Sequence, residues 1–355
     1  MTDSPRPVVL TGDTPTGRLH LGHYLGSVKK RIEMLHSHEC FFLIANMHAF
    51  TTRADHPEEI RQDCIDIVRD QLAMGVDPEH CSIFLQTEVP AISELTYLFS
   101  MLLPFNRVMR NPTLKDEIEA KGLGDTYPFG FPLYAVGQTA DILAFRAHNV
   151  PVGEDQEAHL ELTREVARRF NKMYCGVPLK VDDADHVEHG GVFPIPVADL
   201  SKVTRLVGTD GKQKMSKSLN NTIMISDTPK KVKKKVGQIF TGRQSPTEKG
   251  DTSNALFQYV DAFILDPERI AELRDRYARG DDIGDGHIKV EVADAINELL
   301  DPMRERLAAM EGKDDEIMDI LKVGTANAIK ATEETLDCAK EAASLHFFDR
   351  SITLK

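Results

Sequence analysis

No stretch of about 18 consecutive apolar residues occurs in this chain, which excludes a sequence-evident membrane-spanning helix. The first residues, Met1 to Pro7, are polar and mixed in charge and lack the apolar core of a secretory signal. Cysteine is scarce and scattered: Cys40, Cys64, Cys81, Cys175 and Cys338 are odd in number and never spaced C-x-x-C. That pattern excludes a disulfide framework and a zinc knuckle, and it predicts a reducing, cytoplasmic setting. Tryptophan is missing altogether. The G-x-G-x-x-G fingerprint is also missing, so a dinucleotide-binding fold has no support.

What is present is a globular composition, with 41% hydrophobic and 28% charged residues over 355 positions. At roughly 150 residues per domain, this length predicts two domains, or one large domain with an appendage. The net charge is −13, but it is unevenly spread. Between Ser201 and Arg243, eleven lysines and arginines face only Asp210 and Asp227. A basic run of this kind reads either as a solvated helix face or as a site for a polyanion such as nucleotide phosphates or RNA.

The first half alternates strand-like and helix-like segments. Val8–Leu10, running to Gly12, reads as a buried strand, as do 40–48 and 82–86. Helices are expected from about Gly22 to His36, from Pro57 to Gly75 and from Ala91 to Leu103. In the second of these Pro57 suits the first turn, Glu58 and Glu59 favour the N-terminal dipole, and Gly75 ends it. Two more helices are expected between Pro132 and Phe170, joined by a loop at 150–155, and a further strand at 177–183. From Thr228 to Phe348 almost everything reads as helix. Strands separated by helices imply βαβ crossovers and an α/β fold with a doubly wound parallel sheet. Ligands of such sheets sit at the carboxyl ends of the strands, which points to the turn after the first strand.

That turn, Gly12-Asp13-Thr14-Pro15-Thr16-Gly17-Arg18-Leu19, has the G-x-x-x-x-G skeleton of a phosphate loop. Arg18 and Leu19 stand where the motif requires Lys and Ser or Thr, so the Walker reading fails. Next comes His20-Leu21-Gly22-His23, two histidines on one face of a helix start, where free N–H groups favour anions. Gly22 would let a planar purine approach the backbone closely. A metal pair is the competing reading, although no further ligands cluster nearby. The same holds for His186 and His189. About 190 residues later, Lys214-Met215-Ser216-Lys217-Ser218 follows Gly208 and Gly211. Two lysines three apart on a glycine-flanked loop make a cationic clamp for charge moving on a phosphate chain.

H-x-G-H together with K-M-S-K-S resembles the signature of the class I aminoacyl-tRNA synthetases. The resemblance extends to the tryptophanyl-tRNA synthetases over most of the chain, through residues 11–34, 140–171, 212–221 and about 320–348. The run P-V-G-E-D-Q followed by H-x-E-L-T-R is similar to the tryptophan branch. The resemblance implies a Rossmann-like catalytic domain over 1–190, a connecting region over 191–228 with the K-M-S-K-S loop at 214–218, and a helical anticodon-binding domain over 229–355.

The resemblance also implies site roles. ATP would be bound by Gly12, Asp13, Thr14, Gly22, His23, Gly153, Met215, Ser216 and Ser218. His20, His23, Lys214 and Lys217, with Lys115 from a loop after Pro112, would serve the phosphate chain. Asp141 would accept the indole N–H, which fits the physics of a buried carboxylate and a donor-only group. An N-cap or a salt bridge to Arg146 is the alternative for Asp141. Tyr134 and Gln156 would hold the substrate ammonium, Val152 would line the pocket, and His48, directly after the second strand, would stand in it. Many family members carry Met where this chain has Gln138. Tyr134, Gln138 and Asp141 then share the spacing of tyrosyl enzymes, so Gln138 is expected to help hold the ammonium. The implied partners are L-tryptophan, ATP with Mg²⁺ on its phosphates, tRNA(Trp) and a second copy of the chain, with the Leu95–Leu103 helix surface as candidate contact. No protein metal ligand and no membrane are implied. A tyrosine-specific relative and an auxiliary tryptophan-binding paralogue are the alternatives.

Overall fold

A computed structural model of the chain describes residues 6–124, 126–151, 156–199 and 206–354. Among these, five strands form one parallel sheet: β1 (Val8–Asp13), β2 (Glu39–Ile44), β3 (Cys81–Leu85), β4 (Asn149–Pro151) and β5 (Val197–Asp199). Their order is β3-β2-β1-β4-β5. After β1 the chain runs through α1 (Leu21–His23), a π-helical segment Tyr24–Val28 and α2 (Lys29–Met34). Next come α3 (Asn46–Arg53), α4 (Pro57–Met74), α5 (Pro90–Ser100), α6 (Phe105–Val108), α7 (Pro112–Ala120), α8 (Gly130–Ala144) and α9 (Glu157–Cys175). The rest is α10 (Pro229–Gly237), α11 (Ala255–Phe263), α12 (Pro267–Arg279), α13 (Asp285–Ala309) and α14 (Asp314–Ala342).

Successive strand residues point to opposite faces, and this alternation sorts the interior into two cores. Val9, Cys40, Phe42, Ile44 and Ile83 join α4 and α10 to α13 on one face. Leu10, Phe41, Leu43 and Phe84 join α5, α8 and α9 on the other. Phe42 and Phe84 are wholly buried, one on each face, and each contributes about 2–3 kcal/mol of hydrophobic stabilisation.

The last helix belongs to both cores. Ile317 and Leu321 of α14 pack on the first face, and Ala328, Ile329 and Leu336 on the second. Between them α14 crosses β3 at Gly324, where a Cβ would stand 2.0 Å from the Ile83 carbonyl oxygen. Thr325 Oγ1 accepts the Leu85 N–H at 3.3 Å. The helix thus covers the free edge of β3, an exposed row of backbone groups in most open sheets.

The structure corrects several expectations. Residues 177–183 are not a strand: Gly176, in the left-handed conformation, ends α9, and Val181 N–H turns back to the Pro178 carbonyl. β4 and β5 hold three residues each, too few to show periodicity. β2 ends at Ile44, and His48 lies on α3 rather than at a strand end. The turn there is pinned by Asn46, whose side chain exchanges hydrogen bonds with Thr87. Lys115 is on a helix, not a loop, because Asn111 caps α7 and Pro112 fills its first turn. In the expected contact surface, Leu95 and Phe99 are buried in the core, while Tyr97 and Met101 are exposed and line one apolar cavity with the exposed Phe129. No helix among the described residues is long and apolar enough to cross a membrane.

Candidate active site

The strand order reverses beside β1, whose neighbours are β2 on one side and β4 on the other. Ligands of open α/β sheets bind at that crevice, and a cavity of 560 Å³ lies there. Gly12, Asp13, Thr14 and Thr16 line it from the first turn, His48 from α3, Tyr134, Gln138 and Asp141 from α8, and Gln156 and His159 from the α9 side. His20, His23 and Lys217 are not among its lining residues, although Lys217 bonds the carbonyl of the lining Thr16.

At the first turn the backbone is tied down by side chains. Arg31, fully buried on α2, bonds both carboxylate oxygens of Asp13, and Gln71 Nε2 donates to the same carboxylate at 2.6 Å. Burial pushes the Asp13 pKa up, but Arg31 overcomes it and the net shift is downward. Asp13 is therefore committed to Arg31 and Gln71. Arg18 pairs with the buried Asp70, which also accepts the Leu19 N–H at 2.6 Å.

His20 and His23 form a reciprocal cap at the start of α1. His20 Nδ1 accepts the Gly22 N–H at 3.1 Å, and His23 Nδ1 accepts the His20 N–H at 3.1 Å. Acceptance at Nδ1 places the ring proton on Nε2 of both imidazoles. Burial, helped by the neighbouring His23 and Lys217, lowers His20 to about 3. Burial likewise lowers His23 to about 4, with Asp13 opposing. At neutral pH both rings are uncharged N–H donors. The expectation for Gly22 is corrected: a Cβ there would stand 2.9 Å from the His20 ring and 3.3 Å from Met215 Cβ. The open side of Gly22 is filled by the chain itself, and the two signature motifs touch at that point.

The second motif follows a small turn. Val207 and Lys214 form an antiparallel bridge, and Gly208 N–H donates to the Gln213 carbonyl. Buried Asn221 pins the segment: Oδ1 accepts Ser216 N–H at 2.7 Å, and Nδ2 donates to Asp210 at 3.0 Å and to the Lys214 carbonyl at 3.2 Å. Met215 is buried in the core. Lys217 Nζ donates to the carbonyls of Thr16 and Arg18, so it stitches the second motif onto the first turn. Lys214 is exposed.

The far end of the cavity is built from distant segments. Asp141 sits in the last turn of α8 and is buried; neither an N-cap nor an Arg146 salt bridge accounts for it. Its partner is Gln86, after β3, whose Nε2 donates to both carboxylate oxygens at 2.8 and 2.9 Å. The Gln86 Oε1 accepts the His48 N–H at 3.2 Å. Burial raises Asp141 to about 7, with Gln86 opposing. The His48 ring stacks on Tyr134 with centroids 4.3 Å apart, and burial lowers it to about 4. The Tyr134 hydroxyl is buried, and burial raises its pKa. Gln138 Nε2 donates to Gln156 Oε1 at 3.3 Å.

The family model for class I tRNA synthetases (W and Y) matches residues 2–301. The chain belongs to this family. It is 42% identical to the tryptophan–tRNA ligase of Treponema pallidum over 346 residues, covering 95% of this chain and 96% of that protein. It is 39% identical to the tryptophan–tRNA ligase of Lactococcus lactis, covering 97% and 99%. A solved tryptophanyl-tRNA synthetase from Campylobacter jejuni, complexed with ADP and tryptophan, superposes with a TM-score of 0.80 at 31% identity, covering 95% of this chain and 100% of that one.

Within this synthetase fold, the structure gathers most of the site residues expected from sequence. Lys115 is exposed and does not line the cavity, whereas Glu117 of the same helix and Lys121 just after it do. Val152 and Gly153 lie outside the described residues. His186 bonds Asn171 and His189 bonds the Asp185 carbonyl, and no metal-sized cluster of His, Cys, Asp and Glu occurs among the described residues. Sequence reasoning missed Gln86, Arg31, Gln71, His159 and Asn221. For Gln86 a signal existed, since it follows the last residue of a buried strand at its carboxyl end.

Proposed function

We propose that the chain is a tryptophan–tRNA ligase. It joins the tryptophan carboxylate to the α-phosphorus of ATP, releasing pyrophosphate, and then passes the tryptophanyl group to the 3′ end of tRNA(Trp). The observation that carries the tryptophan assignment is the buried carboxylate of Asp141 at the closed end of the cavity. An indole N–H is a donor only, and Asp141 is an acceptor when ionised. Tyr134, Gln138 and Gln156 offer oxygen atoms to the substrate ammonium.

The protein's part in the first step is positioning and charge stabilisation. Neutral His20 and His23 donate Nε2–H to phosphate oxygens, and Lys217, with Lys214, meets the charge that builds on the leaving pyrophosphate. Gly12, Thr14, Ser216 and Ser218 frame the nucleotide. The carboxylates at that end are already held, Asp13 by Arg31 and Gln71, Asp63 by Arg53 and Asp70 by Arg18. The residues present therefore do not build a protein site for Mg²⁺, which would travel on the ATP phosphates.

The experiment is ATP–pyrophosphate exchange with each of the twenty amino acids. Exchange driven by tryptophan alone supports the reading; exchange driven by tyrosine overturns it.

Two partner assignments accompany the reading. The exposed Tyr97, Met101 and Phe129 form an apolar face for a second copy of the chain, and Tyr97→Glu with Met101→Glu should yield monomers by sedimentation. For tRNA, Lys230 and Lys234 are the available cations of α10. Lys231 and Lys235 pair with Asp227, and Lys233 pairs with Asp294. Charge reversal at Lys230 and Lys234 should weaken tRNA binding and lower its salt dependence; an unchanged salt slope would remove α10 from the tRNA surface.

A further inference from the structure

The buried pair at the closed end of the cavity is asymmetric. Asp141 lines both the 560 Å³ cavity and a second, apolar cavity, whereas Gln86 lines only the second, together with Ile92, Thr96, Tyr97 and Phe129. We propose that Gln86 is a positioning residue for tryptophan selection: it holds the Asp141 carboxylate and keeps it an acceptor toward the substrate indole. The assignment rests on the tryptophan reading of the site.

Three observations carry it. Gln86 Nε2 bonds both Asp141 oxygens, at 2.8 and 2.9 Å, so the carboxylate plane is fixed by a side chain that is not part of the 560 Å³ cavity's lining. The other end of the amide accepts the His48 N–H at 3.2 Å. That bond fixes which end of the amide faces Asp141, because a flipped amide would set its NH₂ against a backbone donor and its oxygen against a carboxylate. Finally, Gln86 and Asp141 are both less than a tenth exposed, so the pairing is little screened by bulk water.

The chemistry follows from the donor count. A lone carboxylate buried this deeply takes up a proton, because burial disfavours its charge. Once protonated it offers the indole one acceptor fewer and adds a competing donor. The titratable groups sharing the cavity with Asp141 are Asp13 on β1, Lys30 and Arg31 on α2, His48 and Arg53 on α3, Glu117 on α7 with Lys121 just after it, Tyr134 on α8 and His159 on α9. Burial and the Gln86 hydrogen bond are what displace Asp141 itself, in opposite directions. Gln86 is therefore the group that resists protonation.

The test uses the full chain with Gln86→Leu and the isosteric Gln86→Glu, the second guarding against loss of folding in the first. In each, the tryptophan KM in pyrophosphate exchange is measured from about pH 6 to 9, beside the Asp141 titration followed by NMR of the carboxyl carbon without amino acid. Removing the donor should raise the Asp141 titration by about one unit from about 7, and tryptophan KM at neutral pH by about fivefold, since the ionised fraction then falls from about a half to about a tenth. Raising the pH should return KM toward the wild-type value, with kcat changed far less. A KM raised equally at every pH, or an Asp141 titration that does not move, would overturn the assignment. If the wild-type chain exchanges with another amino acid instead of tryptophan, the substrate reading falls, while the NMR titration still decides the Gln86–Asp141 coupling.

Discussion

The two ends of the candidate site are made in different ways. The nucleotide end is a product of short contiguous stretches: one turn and helix start at 12–23 and one pentapeptide at 214–218, joined by Lys217 on the Thr16 and Arg18 carbonyls and by Met215 against Gly22. The amino-acid end draws single side chains from α3, from the residue after β3, from α8 and from the start of α9. The first end presents backbone geometry and neutral imidazoles, and the second presents one buried carboxylate whose pKa is raised to about 7. The lesson is that binding of the two substrates should answer to different perturbations.

The widest separation is expected from one variant at each end. Asp141→Ala removes the acceptor and leaves Gln86 Nε2 unpaired, so tryptophan kcat/KM should fall by about 10²–10³, mainly through KM. Lys217→Ala removes transition-state charge stabilisation, so kcat should fall by about 10² with tryptophan KM little changed. If both variants alter the same constant, the two ends are not independent.

A smaller effect is expected at the junction of the motifs. In Gly22→Ala the new methyl meets the His20 ring and Met215, so the cap must shift at a cost of about 1–3 kcal/mol. Thermal unfolding should report that loss, and ATP KM should rise while tryptophan KM holds.

The finest test needs no variant. Asp141 titrates near 7, and the acceptor is its ionised form, so tryptophan KM should rise as pH falls through that value, by up to about tenfold per unit. His20 and His23 are displaced downward to about 3 and 4 and remain neutral above those values. ATP KM should therefore stay flat between about pH 5 and 8. Parallel pH profiles for the two substrates would break the contrast.

The legibility of the chain divides along the same line. Long elements showed themselves: α4 carries its own punctuation in Pro57, Glu58, Glu59 and Gly75, and β1 to β3 are apolar runs. β4 and β5, three residues each, hold no period and were hidden, while 177–183 had strand composition but a turn's backbone. Lys115 was legible as a lysine but not as an exposed helix residue, since Asn111 capping is decided by the local backbone.

By itself the sequence determined the α/β class and the family, and it marked the two motifs at 12–23 and 214–218, because a helix start, a turn and a lysine loop are local objects whose geometry travels with their residues. Only the tertiary structure decided that Gln86 meets Asp141 across 55 positions of chain, that Arg31 and Gln71 occupy Asp13, and that α14 seals the edge of β3. Those pairings depend on strand order and helix packing, which bring together residues that share no local pattern, and burial then makes each pairing obligatory by making an unpaired polar group costly.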